Sequence, residues 1–101
     1  MTEEEKMCIE ILLREINFSL LLLPNYVKAG NEIGVEYIRK NSDAIKNRLN
    51  SMREDFYDML NKVKEYVPQV LVANCRLKYD SLEEKAYSGL GLTKLNQENK
   101  R

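Results

Sequence analysis

Hydrophobic positions between residues 35 and 66 recur in a heptad rhythm. Val35, Ile38, Ile45, Leu49, Met52, Phe56, Met59, Val63 and Tyr66 follow one another at steps of three, seven, four, three, four, three, four and three. The seven-residue step passes over one polar position, Ser42. This spacing marks a long helix that buries one stripe against other helices. The helix is expected from about Asn31 to Val67, after a short connector at 25–30 with Gly30 as C-cap and Asn31 as N-cap. At 1.5 Å per residue it is about 55 Å long, against about 33 Å for the helix before it. Asn41, Ser42 and Asp43 are capping residues and offer a break. The heptad phase nevertheless runs straight across them, from Ile38 to Ile45, which favours one continuous helix. A seam longer than its own chain can cover predicts burial by a second copy.

The first helix opens on a capping box, Thr2 with Glu5, and Glu3–Glu5 put negative charge at its positive end. Ile9, Leu13, Ile16, Leu20 and Leu23 define its buried side, while Cys8, Leu12 and Leu22 broaden it enough to meet more than one neighbour. Pro24 is expected to end it near Leu23 or to open the next turn. A third helix opens with Pro68 in its first turn and buries Val70, Leu71, Asn74, Leu77 and Leu82. Asp80-Ser81 offers a break, Ser81 with Glu84 a second capping box, and residues 82–87 a short fourth helix. Leu90 and Leu92 should tuck back onto the bundle. The fold expected is all-α: an antiparallel bundle on one long central helix, with three main helices and a possible short fourth. Residues 1–93 form one domain, and 94–101, KLNQENKR, a flexible polar tail.

Composition fits this reading: among 101 residues there are four Gly and two Pro, so strand punctuation is scarce. Sixteen basic and sixteen acidic residues balance, but unevenly: Met1–Leu23 sets five Glu against Lys6 and Arg14. No stretch is basic enough to demand nucleic acid. The acidic N-terminus lacks the cationic region of a signal peptide, and the apolar run 16–23 is too short to span a bilayer, so a cytoplasmic location is expected. Cys8 and Cys75 are expected to be reduced and buried.

Catalysis has few candidates. There is no His, no CxxC, no phosphate-binding glycine loop and no metal-ligand spacing. The carboxylates of Glu54, Asp55 and Asp58 read as a solvated face. No enzyme activity, cofactor or metal is therefore expected.

The surface feature that stands out is a basic row, Arg39, Lys46 and Arg53, at seven-residue intervals beside the seam. As a structural feature it would pair with Glu3, Glu10 and Glu15 of the first helix. As a functional one, with Tyr37 and Tyr57, it is the partner-binding candidate. The expected function is a non-catalytic protein–protein interaction module, an adaptor, regulatory subunit or inhibitor, which self-associates as a homodimer. The alternative is a helical nucleic-acid-binding regulator using that row.

Overall fold

The computed structural model describes residues 2–93; the expected tail at 94–101 lies outside them. Four helices follow in order: α1 (Glu3–Ile33), α2 (Val35–Lys40), α3 (Ser42–Val63) and α4 (Gln69–Gly89), with no strand among the described residues. The all-α bundle is as expected, but its long helix is the first.

Helix α1 starts as its capping box dictates. The Thr2 hydroxyl accepts from the Glu5 N–H at 3.1 Å, and the Glu5 carboxylate accepts from the Thr2 N–H at 3.1 Å. It does not stop at Pro24, which lies inside it. Pro24 has no N–H to offer the Leu20 carbonyl, a loss that normally costs about 3 kcal/mol in a helix interior. Packing of the following turns offsets it: Leu23 is fully buried, and Tyr26 and Val27 pack against the core. Gly30 sits so close to α4 that a Cβ there would meet the Leu90 side chain at 2.9 Å.

The helix ends at Gly34, not Gly30. Gly34 adopts φ 120°, a conformation open to glycine, and its N–H still bonds the Gly30 carbonyl. Asn31 is interior to α1 and donates its side-chain amide to the Gly89 carbonyl at 3.3 Å.

The expected continuous second helix is divided at Asn41, whose φ of −114° and ψ of 21° separate α2 from α3. The Asn41 side-chain amide donates to the Tyr37 carbonyl at 2.9 Å, which stabilises the bend. Phase survives because the ladder does: the Asn41 N–H bonds Tyr37 O and the Ile45 N–H bonds Asn41 O. Ile38 and Ile45 are both buried across the bend. Helix α3 ends at Val63 rather than Val67.

Helix α4 runs unbroken through Asp80-Ser81 to Gly89, so the fourth helix comes from the bend at Asn41 and not from residues 82–87. Its buried side is also different from the expected one. Val72, Tyr79, Glu83, Ala86 and Tyr87 are buried, with Cys75 and Leu82 half-buried, whereas Val70, Leu71, Asn74 and Leu77 are exposed. Leu90 is buried and Leu92 half-buried, as expected.

Helix α3 lies antiparallel to α4, pairing Arg53 with Glu83 and Tyr57 with Asp80. The C-terminal ends of α1 and α4 meet around Gly30, Asn31 and Leu90. The molecule measures 51 × 31 × 18 Å with a radius of gyration of 15.7 Å, more extended than the ~13 Å of a spherical 100-residue domain. So flat a body leaves helix faces uncovered.

Candidate protein interface

The heptad seam supplies the core. Ile38, Ile45, Leu49, Phe56 and Val63 are buried, and Met52 and Met59 pack against them. Only its ends are open: Val35 and Tyr66 are exposed. The bend at Asn41 and the length of α1 together let one chain shelter the stripe, so the reason for expecting a second copy on this seam is gone.

The basic row is divided: Arg39 and Lys46 both line a cavity of about 610 Å³ between α2, the start of α3 and residues 88–93, and Arg53 lies apart from it. Arg39 is exposed and bonds Glu36 one turn back on its own helix, Nη2 to Oε2 at 2.6 Å. Lys46 is buried at the start of α3. Arg53 turns toward α4, where its Nε lies 3.5 Å from Glu83 Oε1. Arg39 thus pairs with Glu36 and Arg53 with Glu83, rather than with Glu3, Glu10 or Glu15 of the first helix. Tyr37 is exposed; Tyr57 is half-buried in the α3–α4 contact.

That contact is a packed polar and aromatic cluster. The Tyr57 hydroxyl donates to Asp80 Oδ1 at 2.6 Å, and Arg53 stacks over the Tyr57 ring at 4.8 Å. Phe56 and Tyr79 stack with centroids 4.4 Å apart. Burial pushes the Tyr57 phenol up, and the hydrogen bond to Asp80 adds to the shift. Burial, then the nearby Glu83 carboxylate, does the same for Tyr87 and more strongly for Tyr79. The Tyr79 hydroxyl is buried without a hydrogen-bond partner among the described residues. Such a cluster holds two helices together; with no path to solvent at Tyr79, it offers little to a substrate.

The open apolar surface lies elsewhere, on the side of α1 turned away from its buried stripe. Met7 (63% exposed), Ile11, Phe18 (61%), Leu21 (63%) and Leu22 face outward. Met7, Ile11, Phe18 and Leu22 step by four, seven and four, so they share one helix face. Ile16, Leu20 and Leu23 are buried on the opposite face. Cys8, expected in the core, is exposed on α1, and Cys75 is half-buried; both are free thiols. The breadth of apolar residues around helix one signalled more than one contact, and Met7, Ile11 and Phe18 at heptad-compatible spacing were the unread part of that signal.

Between α1 and α3 the outward face meets a groove of about 490 Å³ lined by Glu15, Phe18, Ser19, Asp55, Asp58, Met59 and Lys62. Phe18 belongs to both stripe and groove. Among the described residues no three His, Cys, Asp or Glu side chains are placed to hold a metal ion, and no helix is long and apolar enough to cross a membrane. Comparison with protein-family models, with curated proteins and with solved structures finds no match to this chain.

Proposed function

We propose that this protein is a non-catalytic helical interaction module, an adaptor, regulatory subunit or inhibitor, that docks other proteins through the outward face of α1. The observation that carries the proposal is the set of large apolar side chains, Met7, Ile11, Phe18, Leu21 and Leu22, left in water along the longest helix. Contiguous exposed apolar surface on a soluble domain marks a place where something binds. Helix-in-groove and helix-on-helix recognition use residues at this spacing as anchors.

With the seam filled from within, this face is the one a second copy of the chain competes for against the docked protein. The basic row supports neither a protein nor a nucleic-acid surface well. Lys46 is buried and Arg53 engaged with Glu83, which leaves Arg39, already paired with Glu36, and Tyr37 in the open.

Affinity capture from the host lysate, comparing wild type with Phe18→Glu and with Arg39→Glu, tests this reading. A binder lost from Phe18→Glu and kept by Arg39→Glu is the expected result, with circular dichroism showing both variants folded. A captured set unchanged by Phe18→Glu overturns the assignment of the α1 face. Light scattering on the same samples reads self-association against the 11.9 kDa monomer mass.

A further inference from the structure

Resting on that reading, we infer the chemistry of the partner: an amphipathic helix with an apolar stripe and Lys or Arg on its flanks. The inference comes from the charges that surround the α1 stripe. Glu4, Glu10 and Glu15 border it along α1, and all three are exposed. On the α3 side the groove beneath Phe18 adds Asp55 and Asp58. Against these five carboxylates stand Arg14 on the stripe, Lys62 in the groove lining and Lys6 beside Met7, the last already paired with Glu3. Among the described residues, none of Glu15, Asp55 and Asp58 is in an ion pair. The edges of this face are therefore acidic, and the acids are available.

Rim charges steer encounter and choose partners more than they add affinity. An apolar helix with basic flanks gains at every edge. The same helix with acidic flanks meets like charge at Glu15, Asp55 and Asp58. A second copy of α1 is disfavoured on the same ground, because it presents Glu10 and Glu15 to the acids already there. An anionic membrane surface is repelled likewise. Phe18, at the junction of stripe and groove and mostly solvated, is the central anchor: an aromatic ring carries large contact area at low conformational cost.

The probe is a pair of synthetic eighteen-residue helical peptides. Both carry Leu and Phe at α1-matching spacing; one has Lys and Arg flanks, its twin Glu flanks. Fluorescence anisotropy with the full chain at low salt should show the basic peptide binding at least roughly tenfold tighter, the size expected of a few rim charges acting together. High salt should narrow the gap. Phe18→Glu should abolish binding of the basic peptide, and the double variant Asp55→Lys, Asp58→Lys should reduce or reverse the preference.

Equal binding of both peptides, lost in Phe18→Glu, overturns the charge inference and leaves the interaction reading standing. Binding of neither peptide, or binding indifferent to Phe18→Glu, overturns both. A scrambled basic peptide that binds as well as the helical one shows a diffuse charge attraction and also overturns the inference. A dimer by light scattering that Phe18→Glu returns to monomer, and that the basic peptide cannot displace, makes a second copy the occupant and overturns it too.

Discussion

The contact between α3 and α4 and the outward face of α1 are written in the same alphabet and end differently. Each is a row of large apolar residues at steps of three, four and seven. On α3 the row is closed: Leu49 and Phe56 are fully buried, Tyr79 of α4 stacks on Phe56, and Arg53 and Tyr57 complete the edge with Glu83 and Asp80. On α1 the row is open: Met7, Phe18 and Leu21 are each more than half exposed. The difference lies in what each row meets. Spacing states which residues share a face, but whether a face is covered depends on helix lengths and turns elsewhere. Helix α1 is apolar around most of its circumference, and a bundle this flat covers only one side of it.

Truncation should separate the two rows most sharply. Phe56→Ala removes a fully buried ring that stacks on Tyr79, and is expected to cost about 3–5 kcal/mol of stability. Phe18→Ala, on the open row, should stay within about 0.5 kcal/mol of wild type. Urea unfolding followed by circular dichroism measures both. Similar losses for the two variants would mean that Phe18 is covered in solution, and that the contrast is one of assembly state.

A smaller effect is expected at the polar edge. Glu83 is 4% exposed while Arg53 keeps considerable contact with water. Glu83→Ala strands a buried edge without its acceptor, at a cost of about 1–3 kcal/mol once solvent screening of Arg53 is allowed for. Glu15→Ala, exposed at the edge of the open face, should leave the urea midpoint unchanged. A neutral Glu83→Ala would show that Arg53 and Tyr57 close the α3–α4 edge without it.

What was legible beforehand follows the same division between local and distant causes. The Thr2–Glu5 box is set by residues three apart and formed as read. Heptad spacing is local, and along it Ile38, Ile45, Leu49, Phe56 and Val63 are buried with Met52 and Met59 half-buried. The bend at Asn41 was discounted because the phase continued. Yet one bent residue whose N–H and C=O both stay in the ladder shifts no phase, so phase alone cannot distinguish a kink from a straight rod. The missing N–H of Pro24 predicts a stop or a new turn, while the packing that offsets the loss comes from outside the helix. On α4 apolar residues lie on several sides, Val70 and Leu77 opposite Val72 and Tyr79, so periodicity had no single face to select. Burial of Glu83 depends on Arg53, thirty residues away. For the candidate interface, the breadth of helix one was noticed, but which of its sides would stay open was a property of the whole bundle.

The finest distinction concerns a hydroxyl. Tyr79 is 1% exposed and its oxygen has no hydrogen-bond partner among the described residues, so the fold gives up that group's hydration without replacing it. Tyr79→Phe keeps the ring and its stacking on Phe56 and removes the orphaned group. A gain of up to about 1 kcal/mol at neutral pH is expected, because an unsatisfied buried polar group is a net cost. The pH dependence sharpens this. Burial holds the folded Tyr79 phenol above its ordinary value of 10.0, and Tyr57 and Tyr87 shift the same way. In alkali the native chain then binds more protons than the unfolded one. Stability is fully present below about pH 10 and falls as pH rises from there toward the folded values. Tyr79→Phe deletes one member of that set, so its stability should decline less steeply between pH 10 and 12 than wild type's. Urea midpoints across that range, with tyrosinate absorbance read in parallel, measure it. A variant less stable than wild type at pH 7 and with an unaltered alkaline slope would show that the hydroxyl is held by a partner, and that the α3–α4 contact is more fully satisfied than its geometry indicates.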